Sequence, residues 1–204
     1  MTDAVVFGET ALTLEDVWDV AHRVRKPHLS QSDEVGTRIA RSAAFVDAAI
    51  RRGDVIYGVT TGYGDSCETK VPAELIAELP LHLTRYHRCG TGDILDEPQT
   101  RAVMAARLSS LVQGWSGVTP DLVQLLAEML RRDILPRIPA EGSVGASGDL
   151  TPLSYMAAAL AGEGEVLHRG EVGEVTAAFA REGLKPIVLQ PKEALAVMNG
   201  TAVM

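Results

Sequence analysis

Along most of this chain the apolar residues recur three or four positions apart, with polar residues between them, which is the spacing of amphipathic helices. Thr13-Leu14-Glu15-Asp16 opens like a capping box, and Val17, Val20 and Val24 continue it as a first helix. Ser32-Asp33-Glu34 starts a second. Val35, Ile39, Val46 and Ile50 mark its buried face, and Gly53 stops it. Val55-Ile56-Tyr57 reads as a short extended piece entering a glycine-rich loop. A helix from about Pro72 carries Leu75, Ile76 and Leu79, with Pro80 as a kink or break. Asp96-Glu97-Pro98 opens a helix through Met104, Leu108 and Leu111. Thr119-Pro120 opens another through Leu122, Leu126 and Met129, with Arg131-Arg132 near its C-terminus. Pro136 to Pro139 reads as a rigid connector. The alanine-rich run Leu153 to Leu160 suits a buried helix, and Val166 to Val172 a hairpin turning at Arg169-Gly170. Thr176 to Glu182 is a short helix ended by Gly183, and Pro191-Lys192-Glu193 opens a last helix that the chain end cuts. The pattern predicts a mainly α fold with one small β-hairpin. It shows no internal repeat, low-complexity tract or linker, so residues 1–204 are treated as one domain.

Composition narrows the classes. A hydrophobic share of 46% is enough for a core, while aromatics are only 4% and alanine and leucine are plentiful, which favours helix packing. A net charge of −8 argues against nucleic acid and anionic membranes as partners. No apolar run is long enough to span a membrane, and Met1-Thr2-Asp3-Ala4 is not a signal peptide. Cys67 and Cys89 make no disulfide framework and suit free thiols in a reducing cytoplasm. The five histidines show no metal-ligand spacing, so no metal site is expected.

The candidate chemistry lies in Gly142-Ser143-Val144-Gly145-Ala146-Ser147-Gly148-Asp149. The loop lacks the Lys-Ser/Thr ending of a phosphate loop and the acidic residue and setting of a dinucleotide site. Its centre, Ala146-Ser147-Gly148, is a tripeptide that can cyclise. The Gly148 nitrogen attacks the Ala146 carbonyl carbon, two waters leave, and Ser147 becomes an exocyclic methylene, an electrophile. Closure needs an unusual backbone turn, which glycine tolerates because it has no Cβ. Asp149 is placed to cap or position that turn. The helix expected to start there aims its N-terminus at the loop and favours negative charge on it.

Four stretches in order resemble the ammonia-lyase and aminomutase family that carries the methylidene-imidazolone (MIO) group. They are Tyr57-Gly58-Val59-Thr60-Thr61-Gly62-Tyr63-Gly64, His82-Leu83-Thr84-Arg85-Tyr86-His87, the Ala-Ser-Gly loop, and Met198-Asn199-Gly200-Thr201. The likeness runs from about residue 10 to the end. It implies the N-terminal helical region of that fold without its long central helix bundle. It also implies an MIO formed from Ala146, Ser147 and Gly148, a catalytic Tyr57 on a mobile loop taking the substrate β-proton, and an Asn199 that hydrogen-bonds the group and the substrate amine region. Tyrosine acting as a base near neutral pH needs a positive neighbour or an anion-stabilising site. Gly64 and Leu150 match positions that line the substrate pocket.

The substrate implied is an aromatic L-amino acid. Near Tyr86-His87 the family contacts the substrate ring: phenylalanine lyases resemble Phe-Leu there, tyrosine lyases His-Leu, and histidine lyases and some tyrosine aminomutases Ser-His. His87 leans to histidine, while Tyr86 departs from all of these patterns. Tyrosine or phenylalanine lyase and 2,3-aminomutase stay open, because they share the first steps. Family members run to more than twice this length and are tetramers, so the chain is expected to be an N-terminal part with exposed apolar surface. A catalytically incomplete fragment, acting as a folding or interaction module, is the other reading.

Overall fold

The computed structural model describes residues 3–145 and 148–203. Its helices are α1 (Leu14–Ala21), α2 (Asp33–Arg51), α3 (Leu79–His87), α4 (Glu97–Leu111), α5 (Pro120–Arg131), α6 (Leu150–Leu160), α7 (Val175–Glu182) and α8 (Glu193–Met198). Its strands are β1 (Ala4–Phe7), β2 (Lys26–Leu29), β3 (Thr91–Ile94), β4 (Leu135–Pro136), β5 (Pro139–Glu141), β6 (Glu165–His168) and β7 (Glu171–Glu174). The fold is mainly α, as the hydrophobic spacing predicts.

Helix starts follow the capping signals. Thr13 Oγ1 accepts from Asp16 N at 3.1 Å while Asp16 Oδ2 accepts from Thr13 N at 2.9 Å. Asp96 and Gln99 make the same reciprocal pair at 2.8 and 3.0 Å. Ser32 caps α2 and Thr119 caps α5. Each such cap satisfies an otherwise orphaned N–H and stabilises by about 1 kcal/mol.

The core is built around α4 and α5. Leu122, Leu126, Met129 and Leu130 of α5 are fully buried, as are Met104, Leu108 and Leu111 of α4. Helix α1 packs across α4, and β2 lies against α5. Helix α4 is buried nearly all round and takes two arginines, Arg101 and Arg107, in with it. Large apolar side chains stand exposed at Leu14, Phe45, Trp115 and Val188.

The predicted hairpin is β6–β7, turning at Arg169 (φ 55°) and Gly170 (φ 79°), and β4 joins its open edge. Arg-Gly suits a two-residue turn that needs both φ values positive. Other expectations are corrected. The segment Pro136 to Pro139 is not a bare connector: its ends belong to β4 and β5, edge positions where a proline loses no needed N–H bond. Val55-Ile56-Tyr57 forms no strand, and Tyr57 lies in a turn. From Pro72 the chain makes only a short 3-10 turn, Ala73–Leu75. Pro80 then sits in the first turn of α3 and helps to open it, where its missing N–H has no helical partner to lose. Helix α8 is not cut by the chain end; it stops at Met198, with Asn199 as its C-cap. The parallel β1–β2 pair, joined by α1, had no clear alternation to announce it.

One strand pairing positions the glycine loop. β3, just after α3, runs antiparallel to β5, just before that loop. The end of α3 and the start of the loop are thereby tied together.

Candidate functional site

Helices α3, α6 and α8 pack on one another, and the candidate residues lie at or near their ends. Ala146 and Ser147 fall outside the described residues, and the loop is seen on either side of them. Gly148 has φ +129°, a conformation that L side chains rarely adopt, and a Cβ there would run into the Asn199 side-chain oxygen and lie 3.2 Å from Gly200 N. Glycine at 148 is thus required twice, by its dihedral and by Asn199. Asp149 N donates to Gly200 O at 2.7 Å, so the loop and the asparagine segment are joined by backbone. Upstream, a Cβ on Gly142 would lie 2.7 Å from Thr151 Cγ2 and 3.5 Å from Gly90 Cα.

Asp149 does not cap its own helix with its side chain. Its fully buried carboxylate accepts from Ser143 Oγ at 2.6 Å and from Val203 N at 3.1 Å. It therefore ties Ser143, before the loop, and Val203, beyond Asn199, to the start of α6. Leu150 is the first residue of α6 and is half-buried. The N-terminus of α6 comes directly after the loop, the arrangement that places a positive dipole end beside it.

The Tyr57 segment rests on α8. A Cβ on Gly58 would lie 2.6 Å from Tyr63 Cε1 and 2.8 Å from Leu195 Cδ2. Tyr57 meets Tyr63 edge to face, with ring centroids 6.3 Å apart, and its hydroxyl oxygen accepts from Gly64 N at 3.0 Å. Gly64 itself opens onto free space. The Tyr57 side chain is 55% exposed, and none of the hydrogen bonds and ion pairs among the described residues brings it the cation a tyrosine base needs. Burial, reinforced by Tyr86 and Tyr57, holds the Tyr63 hydroxyl well above the ordinary tyrosine range, so Tyr63 stays protonated. Helix α8 thus links two candidate groups: Leu195 under the tyrosine segment and Asn199 against Gly148.

Tyr86 and His87 are on the last turn of α3, with ring centroids 5.0 Å apart. His87 Nδ1 lies 3.0 Å from Leu83 O. A carbonyl only accepts, so Nδ1 carries the proton and a neutral ring leaves Nε2 as an acceptor. Burial raises the Tyr86 hydroxyl. Arg85 clasps Glu163 through Nε (3.0 Å) and Nη2 (2.5 Å), and Arg88 Nη2 reaches the same carboxylate at 3.0 Å. This fork holds the end of α3 to the segment after α6. Gly90 N donates to Tyr155 Oη of α6 at 3.1 Å, a second tie between the same helices.

The sequence reading missed Arg107. It lies on α4 with 7% of its surface exposed, its Nη1 occupying the place a Cβ on Gly200 would take, and Nη2 donating to Ala196 O of α8. The available signal was an arginine between Met104 and Leu108 on a helix otherwise apolar on that face. A cavity of about 760 Å³ lies between α2 and residues 187–191, but no candidate site residue lines it.

The chain belongs to the aromatic amino acid lyase family, whose model matches residues 12–204. A histidine ammonia-lyase of Shouchella clausii is 39% identical over 200 residues, covering 98% of this chain and 40% of that protein. One of Gloeobacter violaceus is 40% identical over 204 residues, covering 100% and 39%. Among solved structures, a tyrosine aminomutase of Streptomyces globisporus superposes with a TM-score of 0.90 at 36% identity, over 98% of this chain and 37% of that one. An ergothionase of Treponema denticola gives 0.92 at 29%, over 98% and 40%. The chain spans about two fifths of the length of the curated relatives it matches.

Proposed function

We propose that this chain supplies part of an ammonia-lyase site for an aromatic L-amino acid, histidine above the others, with MIO formed from Ala146, Ser147 and Gly148. The observation that carries it is the fit at Gly148: a backbone no side-chain-bearing residue adopts readily, pressed against the Asn199 amide, at the N-terminus of α6. When formed, MIO supplies an electrophilic methylene that makes the substrate amine a leaving group. The chain's own residues do the rest. Asn199 sets the polar contacts on the Gly148 side. Asp149 and Ser143 hold the turn. Tyr57 takes the β-proton at its hydroxyl oxygen, with its direction fixed by Gly64 N–H, and the cation it needs comes from outside the described residues. His87 Nε2 accepts a hydrogen bond from a substrate ring donor. An imidazole N–H or a phenol O–H satisfies it, whereas a phenyl ring leaves it unpaired. This supports histidine or tyrosine over phenylalanine, and the histidine ammonia-lyase relatives support histidine.

Tyr57 and Tyr86 are each 55% exposed, so on this chain the site is open. We take closure and the carboxylate contact to come from further chain or from partner subunits of a homotetramer, in a cytoplasmic setting. None of the described helices is long and apolar enough to cross a membrane. A second reading, aminomutase, is favoured by the tyrosine aminomutase likeness.

The test is intact mass with peptide mapping across residues 141–160. A loss of two waters, about 36 mass units, placed at Ala146-Ser147-Gly148 supports the proposal. An unmodified tripeptide in a protein extended to the relatives' length rejects it. Turnover of L-histidine to an unsaturated acid, against formation of a β-amino acid, separates lyase from aminomutase.

A further inference from the structure

Arg107 is the buried charge that the proposed mechanism leaves unused. No carboxylate pairs with it among the described residues; burial alone acts on it and pushes its guanidinium down to about 10. Among the described residues its Nε has no hydrogen-bond partner. Lys192, at the other end of α8, is also partly buried, and its amino group is lowered first by burial and then by the charge of Arg107. Two cations therefore share this region. Burying an isolated cation is unfavourable, and a methionine of similar length fills the same space without that desolvation. The retained charge calls for a local reason.

The contacts supply one. Helix α8 has only six residues, so most of its carbonyls lack helical partners. Asn199 N takes Leu195 O at 2.8 Å and Gly200 N takes Met198 O at 3.0 Å. Ala196 O is taken by Arg107 Nη2. The same guanidinium lies against Gly200, the residue whose carbonyl receives Asp149 N. Gly200 must lack a Cβ for this, since one would fall on the guanidinium. Arg107 therefore grips the short helix from below, close to Asn199, and through Gly200 it backs the hydrogen bond that ends the cyclising loop.

We propose that Arg107 is a positioning residue: it locks the C-terminus of α8 so that Asn199 and Gly200 hold Gly148 in the conformation ring closure needs. The inference rests on the MIO reading, but its test does not depend on that reading. Hydrogen exchange is compared between Ser147→Ala and the double variant Ser147→Ala/Arg107→Met, in which no ring can form. Exchange at the amides of 149, 199 and 200 rises about tenfold in the double variant, the loss of roughly one hydrogen bond. Amides of the α4–α5 core change less, and Arg107→Lys in the same background restores most of the protection. Unchanged exchange at those three amides in a folded variant, or an equal rise throughout the chain, overturns the proposal. If the methionine variant does not fold, the lysine variant is read alone: core protection kept with faster exchange at the three amides than in Ser147→Ala supports it, and unchanged exchange overturns it. In the Ser147 background, ring closure as complete in Arg107→Met as without the substitution also overturns it, while leaving the MIO reading standing. Absence of the ring from the extended protein sinks the MIO reading and leaves the exchange result to decide Arg107.

Discussion

Arg101 and Arg107 leave one helix six residues apart, both buried, into opposite surroundings. Arg101 donates to Val20 O at 2.9 Å and Leu130 O at 3.0 Å and pairs with Asp133. Arg23 bridges Asp133 and Glu97 at the same end. Burial lowers the Arg101 guanidinium and the charge of Asp133 opposes that lowering. Among the described residues Arg107 has one carbonyl and no acid. The first arginine ties α1, α4 and α5 together, and its charge is matched. The second stands unmatched beside the candidate site. Burial of a charge says little by itself; whether a counter-charge accompanies it separates a residue that serves the fold from one that serves the neighbouring loop.

The contrast breaks first at Arg101. Arg101→Met strands two carbonyls and leaves Asp133 to Arg23 alone, and urea unfolding is expected to show a loss of about 3 kcal/mol. Gly148→Ala comes next: a Cβ at φ +129° facing Asn199 costs about 2 kcal/mol, read by the same unfolding curve, and a peptide map is expected to show no ring at 146–148. Arg107→Met shifts global stability by less than about 1 kcal/mol, because losing one carbonyl bond is offset by removing an unpaired buried cation. A loss as large as that of Arg101→Met would erase the distinction. The smallest effect belongs to the Glu163 fork. Its carboxyl is held below the ordinary 4.5, first by the hydrogen bond from Arg85. A depressed folded value means stability that is present above 4.5 and lost as pH falls through the lower folded value. Thermal melts of Glu163→Gln are therefore expected to lie slightly below those of the unsubstituted chain at neutral pH and to converge with them in acid.

The helices were legible where apolar spacing and caps agreed, as at Thr13, Ser32, Asp96 and Thr119. At the glycine loop only the need for a glycine at 148 was legible, through the unusual backbone it takes at φ +129°; the ring chemistry read from the residue types stays a proposal. Pro80 misled because a proline signals both a break and a start, and only the preceding 3-10 turn decides between them. The strands β1 to β5 are two to four residues long, too short for alternation to register. The burial of Arg107 was legible from the apolar face it shares, but its meaning was not: that lies in Gly200, ninety-three positions away, which no local pattern encodes.

The bond from Asp149 N to Gly200 O also sets an order of events during synthesis. The loop leaves the ribosome about fifty residues before the segment that braces it. At about 5–20 residues per second, that is a wait of roughly 3–10 s. Through that interval Asp149 N has no Gly200 carbonyl to meet, so on the MIO reading proposed above a nascent chain is expected to carry no reactive methylene past the thiols and amines it meets before the surrounding structure exists.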